Sequence, residues 1–248
     1  MDSARIVENL ATWLRDEAEN AGARGVVFGL SGGVDSAVVA ALVKRAFPDT
    51  HLALTLPIHT AQSDSEHSRL VVDAFGLQAR AIDLDAPYEA LARVLGADPS
   101  VEDKPDLALA NLKARLRMMA LYYHANRFRY IVAGTGNRSE LSIGFFTKFG
   151  DGGADVMPLG HFVKSEVIEL AAHLDVPQAV IDKPPSADNW RGHTDEMELG
   201  FTYEQLEQYV LGALEDEAVR DRIQTLRRSS SHKLRTPKLP PPVSAMTP

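Results

Sequence analysis

The stretch Gly29-Leu30-Ser31-Gly32-Gly33-Val34-Asp35-Ser36 sets hydroxyls, a carboxylate and glycines between an apolar run, Val26-Val27-Phe28, and a segment of helix formers, Ala37–Ala46. Glycine at 32 and 33 allows a sharp bend and leaves backbone N–H groups uncovered. The N-terminus of the following helix adds aligned N–H dipoles, and together these make an anion site suited to phosphate. Three chemistries compete for such a turn. It is a strand-to-helix bend that uses glycine for geometry alone, or a nucleophile elbow, since Gly29-Leu30-Ser31-Gly32-Gly33 fits G-x-S-x-G, or a pyrophosphate cradle. A Walker A loop is excluded, because no lysine follows the glycines. A cradle without that lysine has to offset phosphate charge with a metal, which Asp35 is placed to hold, and with a cation from elsewhere in the chain.

A second glycine turn, Gly134-Thr135-Gly136, leads into Asn137-Arg138-Ser139-Glu140. Taken alone, Glu140 is a first-turn helix acid favoured by the helix dipole. Facing Asp35 across one crevice, it becomes the second carboxylate for Mg²⁺ beside phosphates. Further on, Thr147-Lys148-Phe149-Gly150-Asp151-Gly152-Gly153-Ala154-Asp155 mixes glycines with charges of both signs. That pattern is either a solvated loop or backbone that approaches a ligand closely. Lys164, opening a helix, can bring the cation that the first loop lacks.

Strands that alternate with helices position these groups. The pattern predicts a helix over 4–20 with Ile6, Leu10, Trp13 and Leu14 on one stripe, strand one at 25–30, and strand two at His51–Leu56. A capping box of Ser63 and Glu66 would open a helix that ends near Phe75-Gly76. Strand three spans Leu77–Ile82, a helix covers 86–95, a long helix Asp106–Asn126 carries a core stripe of Leu109, Leu112, Leu116 and Met119, and strand four spans Arg129–Ala133. The expected fold is α/β, a doubly wound parallel sheet of Rossmann-like form with helices on both faces. Both glycine turns then flank one crevice at the strand C-termini. Helices at 164–174, about 203–212 and 216–228 complete one domain over 1–248, with a lid loop at 182–200 and a proline-rich flexible tail at 236–248.

Composition agrees with this. The 248 residues are 45% hydrophobic and 24% charged, enough for one large α/β domain with a sizeable core. A net charge of −8 argues against a general nucleic-acid binder. No apolar run approaches the ~20 residues that span a membrane, and Met1-Asp2-Ser3-Ala4-Arg5 lacks a signal-peptide pattern. The expected location is the cytoplasm.

The run S-G-G-V-D-S resembles the signature of the N-type ATP pyrophosphatases, which cleave ATP between its α- and β-phosphates. Within that superfamily the order of N-L-K-A-R-L-R-M-M-A-L-Y, G-T-G-N-R-S-E, F-T-K-F-G-D-G-G-A-D, K-P-P-S-A-D-x-W and S-S-H-K-L-R resembles NAD synthetase, from about residue 26 to 235. The resemblance implies a homodimer and a known reaction. The carboxylate of nicotinic acid adenine dinucleotide (deamido-NAD) attacks the α-phosphate of ATP, pyrophosphate leaves, and ammonia attacks the acyl-adenylate to give the amide of NAD. It also implies site residues. Gly29, Leu30, Ser31, Gly32, Gly33, Val34, Asp35, Ser36, Thr135, Lys164 and Ser186 match ATP-binding positions. Asp35 and Glu140 match the Mg²⁺ ligands, and Arg115, Lys148, Asp155, His232 and Lys233 match positions that hold the dinucleotide. Asp151 is assigned to take a proton from ammonium, and Lys164 to act on the reacting phosphates. The chain departs from many relatives at Asn189 and Arg191-Gly192-His193, in the expected lid.

Two rival readings have their own signatures. A serine hydrolase built on Ser31 would close its triad with His193 or His232. A nucleotide-binding module without catalysis would keep the loops and lose turnover. The nitrogen source follows from cysteine, of which the chain has none. Glutaminases that feed amide synthesis usually carry a cysteine nucleophile, and the synthetase motifs leave no room here for a second catalytic domain. Free ammonia is therefore the expected direct substrate, with delivery by a separate glutaminase subunit left open.

Overall fold

In the computed structural model, residues 1–60, 62–99, 106–185 and 194–240 are described. Four strands, β1 (Gly25–Gly29), β2 (His51–Thr55), β3 (Ala79–Ala81) and β4 (Tyr130–Ala133), form a parallel sheet in the order β3-β2-β1-β4. Val26 pairs with His51 on one side and Ile131 on the other. The two glycine turns therefore leave neighbouring strands at the same sheet end, as expected. Strand three is shorter than the sequence pattern suggests. Only Ala79–Ala81 pairs with β2, at the sheet edge and exposed throughout, because an edge strand has one partner to order it.

Helices α1 (Ser3–Asn20), α2 (Val34–Ala46) and α7 (Lys164–His173) cover one face, where Val26 and Phe28 point. Helices α4 (Asp85–Val94) and α5 (Leu107–Phe128) cover the other, where Val27, Leu54 and Val132 point. The alternation of Val26, Val27 and Phe28 between two cores is the period-two geometry of a strand buried on both sides. α2 is buried from Ser36 to Val43 on every side, as an all-round apolar helix must be.

Two stripes differ from the pattern-based expectation. In α1 the fully buried line is Val7, Ala11, Leu14 and Ala18, and Ile6, Leu10 and Trp13 pack at its margin. The small alanines let α1 approach α2 closely, so the buried line turns toward them. In α5 Leu116 is buried, but Met119 is 62% exposed, while Lys113, Met118 and Leu121 are buried instead. α3 (Gln62–Phe75) already includes Ser63, so Ser63 is a first-turn residue rather than a cap, and its hydroxyl donates to Asp64 at 3.4 Å.

After β4 come α6 (Arg138–Ile143), α7, α8 (Gln178–Ile181), α9 (Asp195–Leu199), α10 (Tyr203–Val210) and α11 (Glu217–Ser230). Ile143, Leu199, Phe201, Leu206, Leu214 and Ile223 form a third core among α6, α9, α10 and α11. That core holds Tyr203 and Asp195 against the crevice. The stretch 147–155 is irregular apart from a short 3₁₀ turn at Asp151–Gly153, and its end runs beside β4 through an Ala133–Val156 bridge. Residues 236–240 are exposed and carry no regular structure; 241–248 lie outside the described residues.

Candidate active site

The loop between β1 and α2 is shaped by α3 and by its own hydroxyls. Gly32 has φ +80°, and a Cβ there would lie 2.5 Å from the carbonyl oxygen of Asp64 on α3. Gly33 is different: its φ is −89° and a Cβ would meet only Ser31 Oγ at 3.5 Å. Only one of the two glycines is therefore demanded by conformation. The loop is pinned from within. Ser36 Oγ donates to Gly33 O at 2.8 Å and accepts from Ser31 N at 3.3 Å, and Gly33 N donates to Ser31 Oγ at 3.3 Å. Leu30 and Val34 are buried in the core, so they can offer a ligand only backbone atoms. Ser36 is buried within the loop, and the first-turn N–H groups of α2 are the groups that could meet an anion.

Asp35 lies in the first turn of α2 and meets Lys164, the first residue of α7. Lys164 Nζ and Asp35 Oδ2 form a close ion pair, with side chains 7% and 16% exposed. Asn137 Nδ2 donates to the other oxygen, Asp35 Oδ1, at 2.9 Å. Asn137 also caps α6: its side chain accepts from Glu140 N at 3.1 Å, and Glu140 Oε2 accepts from Asn137 N at 3.1 Å. This capping box aims Glu140 at the same crevice. Ser139, fully buried, accepts from Lys164 N at 3.3 Å and so joins the start of α7 to α6. Tyr203 completes the wall, with its ring 5.3 Å from Lys164 Nζ and its hydroxyl donating to Asp195 at 2.9 Å.

Crowding strains the charges here. Burial first, and Asp35 second, push the Glu140 carboxyl up to about 8. Burial opposes charge on Lys164, but Asp35 and Glu140 outweigh it and raise its pKa, so the ammonium stays charged. Asp35, Glu140 and the buried Asp195 all bear on Lys164, and Asp35 and Asp195 both oppose charge on Glu140. Among the described residues no three or more His, Cys, Asp or Glu side chains are grouped to hold a metal by themselves. Asp35 and Glu140 are hard oxygen donors, and the set fits Mg²⁺ if phosphate and water fill its other positions.

A second cluster lies over the 147–155 stretch. Arg115 Nε donates to Lys148 O at 3.3 Å, Lys148 Nζ donates to His232 O at 2.8 Å, and Lys233 Nζ donates to the carbonyls of Gly144 and Phe146 at 2.8 Å each. Asp151 accepts from Thr147 N at 2.9 Å. It keeps an open face to solvent, yet atoms crowd its carboxyl and raise its pKa against the pull of that N–H. Asp155 is bound on both oxygens, by Tyr122 OH at 2.8 Å and Val132 N at 2.7 Å, so it also extends the ladder of β4. Thr135 sits half-buried between β4 and α6, beside the Asn137 cap.

The structure thus gathers Asp35, Glu140 and Lys164 in one crevice, and Arg115, Lys148, His232 and Lys233 on one surface. Ser186, together with Asn189, Arg191, Gly192 and His193, lies outside the described residues, as does the middle of the stretch expected to form a lid. Asn137, Ser139, Asp195 and Tyr203 were not singled out from sequence. Of these, Asn137 carried a signal, an Asn three residues before Glu, which is the capping-box spacing. Ser31 is partnered by Ser36 and Gly33, and His232 lies with Lys148, while His193, the other histidine of the hydrolase reading, lies outside the described residues.

The chain matches the NAD synthase family over residues 6–237. It is 47% identical to an NH(3)-dependent NAD(+) synthetase of Carboxydothermus hydrogenoformans, across 94% of this chain and 96% of that protein. Its fold superposes on an NMN synthetase from Francisella tularensis with a TM-score of 0.91 at 36% identity, covering 97% of this chain and 99% of the other. It superposes on the NH3-dependent NAD synthetase of Campylobacter jejuni with a TM-score of 0.78 at 28% identity, covering 96% and 99%. The extent of the family match and of the 47% identity means that the chain belongs to the NAD synthase family and is a carbon–nitrogen ligase of the ammonia-dependent kind.

Proposed function

We propose that the chain amidates deamido-NAD with ammonia through an acyl-adenylate, consuming ATP with Mg²⁺ and releasing AMP and pyrophosphate. The observation that carries this reading is the meeting of Asp35, Glu140 and Lys164 beyond the C-termini of β1 and β4, beside a loop built for phosphate. The loop backbone and the start of α2 would take the triphosphate, with Thr135 at the edge of the nucleotide. Asp35 and Glu140 would hold Mg²⁺, which when bound offsets charge on the phosphates. Lys164 would steady charge on the α-phosphate and the departing pyrophosphate. Arg115, Lys148, Asp155, His232 and Lys233 would orient the nicotinate dinucleotide, so that its carboxylate oxygen meets phosphorus in line. In the second half, ammonia attacks the acyl carbon, the acyl–oxygen bond to AMP breaks, and the surplus proton goes to a base. Asp151 suits that task because its raised pKa makes it a stronger base than an ordinary carboxylate.

The proposal extends to a homodimer in the cytoplasm. Met119 and Tyr123, one turn apart on α5 and more than 60% exposed, present apolar surface beside Arg115, where a second copy would also reach the dinucleotide. A second substrate is suggested by the closeness of the fold to the Francisella NMN synthetase: the mononucleotide, nicotinic acid mononucleotide. One assay separates these readings. Purified protein is given ATP and Mg²⁺ with deamido-NAD, with the mononucleotide or with neither, and with ammonium chloride or ammonia-free glutamine. Pyrophosphate release should require deamido-NAD, and amide should form with ammonium alone. The ammonium-supported rate should rise with pH around neutrality, because the nucleophile is NH₃. A higher kcat/KM for the mononucleotide would replace the dinucleotide reading, and turnover on glutamine by the chain alone would overturn the choice of nitrogen source.

A further inference from the structure

Lys183 and Asp64 form an ion pair at 2.6 Å, with side chains 16% and 12% exposed. They come from two segments that both border α2. Lys183 stands two residues past the end of α8, Asp64 lies in the first turn of α3, and both helices pack on α2. That same turn of α3 rests on the phosphate loop. The carbonyl oxygen of Asp64 lies 2.5 Å from where a Cβ on Gly32 would be, and the hydroxyl of Ser68, one turn on, donates to Asp64 O at 2.9 Å and to Leu30 O at 3.2 Å. His67 stands between them, its Cβ 3.0 Å from the same point beside Gly32. Its Nδ1 is, among the described residues, the one buried side-chain nitrogen or oxygen left without a hydrogen-bond partner. The loop is therefore flanked by a part-buried cation held on a carboxylate and by the His67 imidazole.

We propose that Lys183 is a positioning residue for the β- and γ-phosphates of ATP: through Asp64 it clamps the first turn of α3 onto Gly32 and keeps the loop N–H groups in anion-binding geometry. The inference rests on the ATP reading given above. Without the ammonium, Asp64 is a part-buried carboxylate with no counter-ion among the described residues, and relieving it moves the turn that shapes Gly32. AMP lacks the two phosphates concerned, so its binding reports on the rest of the nucleotide site and on folding. The test is equilibrium binding of inorganic pyrophosphate and of AMP, each with Mg²⁺, to the full chain and to K183Q, D64N, the double variant and K183R.

K183Q and D64N should each weaken pyrophosphate about tenfold, the size of one lost charged hydrogen bond, and leave AMP within about twofold. The double variant should be no worse than K183Q, since both changes break one clamp. K183R should stay within about threefold of the parent, because it keeps the charge. Pyrophosphate affinity unchanged in the single variants, additive losses in the double variant, or an equal loss of AMP in K183Q, the mark of a merely structural pair, would each overturn the proposal. A parent protein that binds neither pyrophosphate nor AMP would overturn the ATP reading itself, and this inference with it.

Discussion

Asp35 and Glu140 sit in one crevice, where the charge of Asp35 is met by Lys164 and that of Glu140 is disfavoured by burial. Asp35 is tied to Lys164 and Asn137, and Glu140 is driven up to about 8 by burial and by Asp35. Asp35→Asn and Glu140→Gln should each cut kcat/KM by about 100-fold or more, the scale of losing a charge placed for the transition state, while circular dichroism stays that of the parent. Turnover near normal in either variant at low Mg²⁺ would remove that residue from the metal site. The same shift predicts stability. A carboxyl whose folded pKa is raised stabilises the fold fully below its unfolded pKa of 4.5, and the benefit drains away as pH rises toward about 8. In chelator, Glu140→Gln should therefore melt higher than the parent at pH 8.5, by about 3 °C for each kcal/mol relieved, with the advantage gone at pH 5. Calorimetry at the two pH values checks the sign.

The elements that matter most are the two glycine turns and the helices they start. In the first, the demands on neighbouring glycines differ. Gly32 adopts positive φ under a backbone carbonyl of α3, and Gly33 adopts ordinary extended geometry with room for a methyl group. Gly32→Ala should destabilise by about 1–3 kcal/mol from the left-handed backbone alone, with added displacement of α3, and should raise KM for ATP about tenfold or more. Gly33→Ala should leave KM within about twofold. Equal effects from the two substitutions would mean that the loop reshapes around either change. The second turn works through a cap: Asn137 spends its carbonyl on α6 and its amide on Asp35, so one side chain orders both Asp35 and Glu140.

Across the whole molecule, the apolar surface on α5 is the feature most in need of a partner. Met119 and Tyr123 are 62% and 61% exposed, on the same helix as Arg115, which bonds to Lys148. Light scattering should give twice the mass of one chain, and Met119→Lys should shift the mass toward that of one chain and weaken deamido-NAD before ATP. A parent protein with the mass of one chain at working concentration would count against the homodimer. No described helix is long and apolar enough to cross a membrane.

What the sequence determined by itself was local in origin. Glycine at 32, the apolar Val26-Val27-Phe28, the caps and the helix periods act over a few residues, so the strand–turn–helix units, the parallel sheet and the two chemically loaded turns could be read directly. The family resemblance carried Glu140 and Lys164 onto one reaction. Tertiary structure decided the rest. Whether Met119 or Met118 was buried depended on which side of α5 met β1 and β4, and helix periodicity is silent on that rotation when apolar residues lie all round. Tyr203 and Asp195 joined the crevice only because the third core folds α10 back beside α6, and Lys183 found Asp64 more than a hundred residues away. Such contacts depend on packing between distant segments, and no short window of sequence contains both partners.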